Sequence, residues 1–345
     1  MAPLSIFRQS PWLVDSLSWR VSRASDRYAG HNKYEIHAAH RIAVQMSQSA
    51  PGLGSILFLL LAAGSFGCGG EPSAGGAGPA GPVSAVSATA DEAGALRADA
   101  AWIAALERND GAALHTLLDA EFEWTDSHGR TRARADSLEA AAMLRADLSG
   151  ETEVQTYHYG HLEVITSARP GARMMRIWAS RPEGWRALAL ISTTTATGAT
   201  PFAATASGAG DCENPCRTMP YVPASDNTRT IAAIFQQLKV DEWHPDPVRW
   251  SPYVLDDVYY VTATARLSKA DRVARLTTLR DTGAPSVPGD PVESMRIVDL
   301  GDSAVMMARH TPYRGGKPYY SVRAWAFRDG RWQLANTQQT AISDE

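Results

Sequence analysis

The strongest constraint on the fold of this chain is an internal repeat along its C-terminal part. Trp124 and Tyr260 end two similar segments, EFEW and DVYY, that lie 136 residues apart. Residues 176–178 read Arg-Ile-Trp, residues 323–325 read Arg-Ala-Trp, and each of these segments is followed seven residues later by another Trp. A chain of 345 residues has room for about two domains of ~150 residues each. The repeat therefore predicts two domains built to one plan.

Each copy combines helices and strands in the same order. A copy opens with apolar residues at helical spacing, such as Trp102 and Leu106 in the first copy and Ile231 and Phe235 in the second. A strand, a short polar helix and several alternating strands follow. This order predicts an α+β fold in which helices pack on one face of a curved antiparallel sheet. The predicted boundaries are 91–197 for the first domain, 198–225 for a linker and 226–345 for the second domain.

Three motifs within the copies give a resemblance to a known family. They are a first strand with the pattern [FV]-x-[WY], a helix that starts with [KR]-x-D, and a terminal hairpin that reads Arg-x-Trp and then Gly-Arg-Trp-x-Leu in the second copy. Each copy resembles the nuclear transport factor 2-like fold, in its SnoaL-like, ketosteroid-isomerase-like branch. The resemblance implies two tandem cone-shaped domains. Many bacterial members are exported domains of unknown function, so it implies a fold more than an activity.

The resemblance also implies a conical pocket lined by alternate residues of three strands. In the second copy, Asn336 and Gln338 fall at such positions, whereas the first copy has Ala189 and Ile191 there. An amide pair can orient a ligand, whereas an apolar pair mostly fills space. We therefore expect the second copy to bind a small apolar or amphipathic molecule. Its predicted site residues are Tyr260, Arg323, Trp325, Asn336, Gln338 and Thr340, and the first-copy counterparts are Trp124, Arg176, Trp178, Ala189, Ile191 and Thr193.

The case for catalysis is weaker. Enzymes of this fold use buried carboxylates, but alternation turns Asp257 away from Tyr260, and Asp256 ends a helix. His310 lies on a middle strand and could point inward or outward. Family members often carry His where Gln338 stands, and an amide does not titrate. We predict no catalytic residue and no cofactor, and keep two alternatives: an isomerase, hydrolase or cyclase acting on a small apolar substrate, and a structural module that uses its sheet face for protein interaction.

An apolar run near the N-terminus predicts export. Residues 56–66 read ILFLLLAAGSF, which suits a secretory signal and is too short to span a bilayer. Small residues and Cys68 follow, as in a bacterial lipobox, so we expect lipidation at Cys68 and a membrane anchor in the cell envelope or periplasm. A buried core helix followed by a loop is the alternative interpretation. The predicted segments are 1–45 as an unstructured extension or a mis-assigned start, with translation from Met46 as one option, then 46–68 as the signal and 69–90 as a flexible tether.

The two remaining cysteines, Cys212 and Cys216, lie close together in the linker. In an oxidising compartment such a pair indicates a local disulfide, with free thiols or a metal or redox role as the alternatives. A zinc site needs about four ligands, and no second cysteine pair exists.

His158 and His161 lie three residues apart on a predicted strand, so they face opposite ways. We predict no metal site.

Net charge and fold limit the partners that we expect. The formal net charge is −4, which offers no basic surface for nucleic acid. Domains of the family that the copies resemble often dimerise through the open sheet face. Two tandem copies can make this contact within one chain, which would give a pseudo-dimer and a monomeric protein.

Overall fold

The computed structural model describes residues 85–195, 211–262, 265–286, 288–311 and 317–343. The predicted extension 1–45, the signal segment 46–68 and its Cys68 lie outside these residues. None of the helices in the described part of the chain is long and apolar enough to cross a lipid bilayer.

The first unit contains four helices and one six-stranded sheet in the order β2-β1-β6-β5-β4-β3. Helix α2 begins at an Asp110 side chain that accepts a hydrogen bond from the backbone of Ala113. The elements are α1 Ala85–Arg108, α2 Gly111–Leu117, β1 Leu118–Thr125, β2 Thr131–Ala133, α3 Arg134–Glu139, α4 Ala141–Leu148, β3 Thr152–Tyr159, β4 Leu162–Arg169, β5 Ala172–Arg181 and β6 Gly184–Thr194.

The second unit repeats this plan, with a sheet in the order β8-β7-β12-β11-β10-β9. Ser225 and Ser268 open its two longer helices with capping boxes, and Asp246 caps α6 just as Asp110 caps α2. The elements are α5 Asp226–Trp243, α6 Pro247–Trp250, a 3₁₀ turn Ser251–Tyr253, β7 Val254–Val261, β8 Arg266–Leu267, α7 Lys269–Thr282, β9 Val292–Asp299, β10 Ser303–His310, β11 Tyr319–Arg328 and β12 Arg331–Ala341.

The α+β class is as predicted, but the sheets are mixed rather than antiparallel. Strand β1 runs parallel to β6, and β7 runs parallel to β12. The first and last long strands of each unit are joined by helices and further strands instead of a tight turn, so no hairpin forces them to be antiparallel. The other strand pairs are antiparallel.

One face of each sheet is covered by the helices of its own unit, and we call it the helix-covered face. In the first unit Trp102 of α1 packs edge-on against Phe122 and Trp178 of the sheet, and all three side chains are buried. In the second unit Phe235 and Leu238 of α5 pack with Trp325 of β11. The tryptophans of the repeat therefore anchor two equivalent cores.

The opposite faces of the two sheets pack against each other, and we call this contact the shared face. Met175, Ile177 and Ile191 of the first sheet lie in one apolar cluster with Val305 and Val322 of the second sheet. At its margin Tyr320 donates a hydrogen bond to Glu123, and Arg296 contacts Glu121 and Glu123. An apolar centre with a polar margin is the usual anatomy of a protein interface.

Two segments differ from the predicted boundaries. Helix α1 begins at Ala85, inside the stretch 69–90 that was predicted to be a tether, because the alanines there favour a helix. Residues 211–225, predicted as linker, pack on the second unit: Asn214 exchanges two 2.9 Å hydrogen bonds with the backbone of Val292. A disulfide joins Cys212 to Cys216 in this segment, with Cα atoms 5.4 Å apart.

Candidate functional site

Three of the predicted site residues lie on the helix-covered face of the second unit. Trp325 belongs to its buried core, and Arg323 lies two residues before it on the same strand. The Arg323 guanidinium lies 4.9 Å from the centroid of the Phe235 ring on α5. Tyr260 contacts Arg272 of α7, 5.2 Å from the guanidinium carbon to the ring centroid. These three side chains therefore face the helices, as predicted.

The other three predicted residues, Asn336, Gln338 and Thr340, face the wrong way. Directly opposite residues on antiparallel strands share a face, and these three pair with Ala324, Val322 and Tyr320. Ala324 and Val322 belong to the shared face, and Tyr320 packs against it. The predicted place of Asn336, Gln338 and Thr340 in the pocket is wrong.

A β-bulge explains the error. Trp332 and Leu334 lie in the helix-covered core, so strict alternation puts residues 336, 338 and 340 there as well. The pairing of β11 with β12 shifts between Ala324 and Trp325, where Leu334 and Asn336 flank the extra residue Ala335. One extra residue inverts the alternation of the rest of the strand.

The first unit carries the same shift. There the pairing of β5 with β6 moves between Ile177 and Trp178, so Ala189, Ile191 and Thr193 also leave the helix-covered face.

Gln338 contacts the first unit at the shared face. Its Nε2 lies 2.9 Å from the backbone oxygens of Arg173 and Ile191 and 3.0 Å from Oγ1 of Thr193. Thr193 in turn donates a 2.9 Å hydrogen bond to the backbone of Gln339. Gln338 therefore joins the two sheets instead of orienting a ligand.

The residues that replace them on the helix-covered face are Thr337 and Gln339, which pair with Arg323 and Ser321. Thr337 is fully buried, and within the described ranges its hydroxyl has no hydrogen-bond partner. Gln339 Nε2 donates a 3.1 Å hydrogen bond to Oη of Tyr260. The helix-covered face therefore carries polar side chains on β12, as predicted from the sequence, but they are Thr337 and Gln339 instead of Asn336 and Gln338.

His310 completes a buried polar row beside Arg323. Its Nε2 lies 3.1 Å from Oγ of Ser321, and its Nδ1 lies 3.3 Å from the backbone oxygen of Asp290. Since a backbone oxygen only accepts, Nδ1 carries the proton and Nε2 is the acceptor of the neutral ring. Arg323 Nη1 donates to the same Ser321 Oγ at 2.5 Å. Sequence reasoning left the orientation of His310 open and did not find Ser321.

Burial and charge set the protonation of this row. Burial, together with the positive charges of Arg323 and Lys239, holds the pKa of His310 well below its ordinary value. Burial and the nearby carboxylate of Asp290, which forms a hydrogen bond with Tyr319, raise the pKa of Tyr319 well above its ordinary value. At neutral pH the imidazole and the phenol are therefore both uncharged, and Arg323 is the cation of the row.

The two other cations of this end of the unit share one carboxylate. Lys239 and Arg272 both form ion pairs with Glu242, the former at 2.8 Å, and Nε1 of Trp250 donates to the same carboxylate at 3.3 Å. Burial opposes the ionisation of Glu242, but the charges of Lys239 and Arg272 outweigh it and lower the pKa of Glu242 to about 2. Both cations therefore have a carboxylate partner within the unit.

The equivalent site of the first unit is closed by its own ion pairs. Arg176 donates to Asp99 of α1 through Nε at 2.8 Å and Nη2 at 3.1 Å, and it also pairs with Glu151. Asp99 accepts a third hydrogen bond, 3.0 Å long, from Nε1 of Trp178. Although burial disfavours the charge, Asp99 and Glu151 raise the pKa of Arg176 above its ordinary value.

The remaining candidates for chemistry lie elsewhere. Asp256 and Asp257 are exposed, and Asp256 pairs with Lys269 at 2.7 Å. His158 contacts Glu163, while His161 contacts Asp302. Within the described ranges, no three His, Cys, Asp or Glu side chains are grouped so that they could hold a metal ion.

A groove of about 450 Å³ lies on the surface of the first unit, between α2, the start of β1 and the β5–β6 hairpin. Arg181 on its wall donates a 2.7 Å hydrogen bond to Asp119. This groove coincides with neither helix-covered face.

No family model matches this sequence, and no curated protein matches it. Among solved structures, the chain is similar to an NTF2-like protein from Cytophaga hutchinsonii, with 15% identity, a TM-score of 0.30, and 34% of this chain and 100% of that chain covered. An NTF-2 like protein of unknown function from Silicibacter pomeroyi gives 13% identity, a TM-score of 0.28, and coverages of 35% and 99%. An NTF2-like protein of unknown function in nutrient uptake from Rhodospirillum rubrum gives 21% identity, a TM-score of 0.24, and coverages of 29% and 98%.

Proposed function

We propose that this chain is an exported, lipid-anchored envelope protein that binds a small apolar or amphipathic molecule without catalysis. The two units act as tandem SnoaL-like domains, and the ligand is held by the helix-covered face of the second. The rings of Tyr260 and Trp325 contact its apolar body, and Arg323 and Thr337 bind its polar end. The first unit supports the second through the shared face.

One observation carries this proposal: beside Arg323 the second unit buries two polar groups that no described residue satisfies. Within the described ranges, neither Nε1 of Trp325 nor Oγ1 of Thr337 has a hydrogen-bond partner. The counterpart of Trp325 is Trp178, which donates to Asp99, and the counterpart of Thr337 is the apolar Leu190. A buried unpaired donor costs about 1–3 kcal/mol. A ligand that forms hydrogen bonds with these groups removes that cost, which adds to its binding free energy.

The test is a ligand-dependent melting shift, measured with a library of small aromatic and aliphatic molecules on the wild type and on two variants. Thr337→Val keeps the shape of the side chain and removes its hydroxyl, so we expect hits to bind several-fold more weakly. Gln338→Ala, on the shared face, lowers the melting temperature and leaves the affinity unchanged. A hit that depends on Gln338 and not on Thr337 would contradict the assignment.

A hydrolase is the second candidate, because His310 Nε2 lies 3.1 Å from the hydroxyl of Ser321. A neutral imidazole at this distance can accept the serine proton, which is the geometry of an activated nucleophile. The Ser321 hydroxyl also lies 3.2 Å from the backbone oxygen of Ala308, which competes for that proton. Hydrolysis of 4-nitrophenyl acetate that is lost in both Ser321→Ala and His310→Asn would replace binding by catalysis.

The interaction-module alternative has less support from the packing. The apolar sheet faces that such a module would use are covered by each other, with Ile177, Ile191 and Val322 buried in the contact. A free apolar sheet face would mark an interaction site, but the described residues place these side chains inside.

Export is tested separately from binding. The chain with a C-terminal tag is expressed in a bacterial host, and the cells are fractionated. We expect a processed, membrane-associated form, and we expect Cys68→Ser to prevent acylation while the folded units remain intact. Recovery of a full-length cytosolic protein would refute export and leave the binding proposal standing.

A further inference from the structure

The two units differ at the position that faces the arginine of the repeated Arg-x-Trp segment. Helices α1 and α5 correspond at an offset of 136 residues, the same offset that relates the capping residues Asp110 and Asp246. At this offset Asp99 of the first unit corresponds to Phe235 of the second. Both residues are buried and both contact the arginine of the Arg-x-Trp segment.

In the first unit one carboxylate satisfies three buried donors. Asp99 accepts two hydrogen bonds from Arg176 and one from Nε1 of Trp178, all between 2.8 and 3.1 Å. This paired contact of a guanidinium edge with a carboxylate is among the strongest hydrogen-bonded arrangements in proteins.

Among the described residues of the second unit, the same donors have no such carboxylate. Arg323 is 3% exposed, and among the described residues it forms no ion pair. Nε1 of Trp325, fully buried, has no partner within the same residues. Phe235 contacts the charge of Arg323 through its ring, and a cation–π contact of this kind uses none of the N–H donors of the guanidinium.

The acidic residues nearby are already engaged. Glu242 pairs with Lys239 and Arg272, and Asp290 forms a hydrogen bond with Tyr319. A buried guanidinium without a counterion is costly, so the unit gains free energy from an anion supplied from outside.

The geometry points to an organic carboxylate as the ligand of the second unit, with its carboxylate on Arg323 and Nε1 of Trp325, in the role that Asp99 has in the first unit. This inference rests on the proposed binding function and adds the charge of the ligand to it. The apolar part of the molecule lies toward Tyr260 and Phe235. The first unit binds no such anion, because Asp99 and Glu151 already occupy its arginine.

The test compares acids with their uncharged amides by titration calorimetry of the full chain. The probes are benzoate, phenylacetate and hexanoate, each paired with its amide. We expect at least one acid to bind at least tenfold more tightly than its amide, a difference of about 1.4 kcal/mol. Arg323→Gln removes this preference. Phe235→Asp places a carboxylate inside the unit and abolishes the binding of acids.

Gln338→Ala serves as the control with unchanged affinity, because Gln338 lies on the shared face. Amides that bind as tightly as acids would overturn the carboxylate inference and leave the binding function standing. Acid binding that persists in a folded Arg323→Gln would also overturn it. If no probe of either kind binds, both proposals fail. The comparison of acid with amide on the wild type needs no variant, so it decides the question even where a variant does not fold.

Discussion

The two units of this chain place the same arginine and tryptophan on the same strand, yet among the described residues only the first unit provides an acid for these donors. Arg176 is held by Asp99 and Glu151, whereas Arg323 contacts a phenyl ring and a serine hydroxyl. A duplicated fold thus reaches two electrostatic outcomes, and the change from Asp99 to Phe235 on the first helix accounts for one of the two acids that differ. The strand motif alone does not define a site; the residue that faces it from the helix does.

The largest expected effect concerns the ion pairs of Arg176 in the first unit. Asp99→Ala leaves Arg176 with one acid and leaves Nε1 of Trp178 without an acceptor, so we expect a loss of about 3–5 kcal/mol in the free energy of unfolding. Urea unfolding followed by tryptophan fluorescence measures this loss. The exposed Asp257→Ala provides the control and should lie within about 0.5 kcal/mol of the wild type. A loss below about 1 kcal/mol for Asp99→Ala would show that the ion pair does not hold the first unit together.

The next effect concerns the shared face. Ile191 is fully buried between the two sheets, and Ile191→Ala should cost about 2–5 kcal/mol through the cavity that it leaves. Ile191→Val, with a smaller cavity, should cost about 0.5–1.5 kcal/mol. Equal losses in the two variants would contradict close packing of the sheets. Ligand affinity, measured in the same preparations, should not change.

A smaller loss is expected for the polar contact in the same interface. Gln338→Ala removes three hydrogen-bonding contacts to the first unit, so we expect a loss of about 1–3 kcal/mol in stability. Thr337→Val, one residue earlier on the opposite face, removes a buried hydroxyl that has no described partner, so it should leave stability unchanged or raise it. If Thr337→Val lowered stability more than Gln338→Ala, Thr337 would lie on the shared face, and the β-bulge would not be at Ala335.

The smallest effect is a pH dependence that comes from His310 of the second unit. The pKa of His310 is depressed in the folded protein by burial and by Arg323 and Lys239. The unfolded chain therefore binds a proton first as the pH falls below about 6.5, and stability drops by up to about 1.4 kcal/mol per pH unit. Melting temperatures between pH 7.5 and 5 measure this slope. His310→Asn should flatten it, and an unchanged slope would exclude His310 as its source.

The repeat made the overall plan predictable. Helical spacing, strand alternation and the Arg-x-Trp segments lie close together in the sequence, so they report local structure directly. They gave the α+β class, the order of elements and the inward direction of Tyr260, Arg323 and Trp325.

The bulge and the partners of the arginines were not predictable in the same way. No Gly or Pro marks the extra residues Leu188 and Ala335, and the pairing across two strands creates the shift. The contact of Asp99 with Arg176 joins residues 77 positions apart. Alignment of the first helices of the two units places Asp99 opposite Phe235. This mismatch between an acid and a phenyl ring is the sequence signal that the two arginines have different partners.

The shared face also has a consequence for how the two units can diverge. In a symmetric homodimer each surface residue meets a copy of the same surface, so any change appears on both sides of the interface. Here both sheets belong to one polypeptide, so Gln338 can meet the backbone of Ile191 without an identical glutamine opposite. Their association is intramolecular and does not weaken on dilution. Each half of the pair is therefore free to change its interior alone, which a self-associating single domain cannot do.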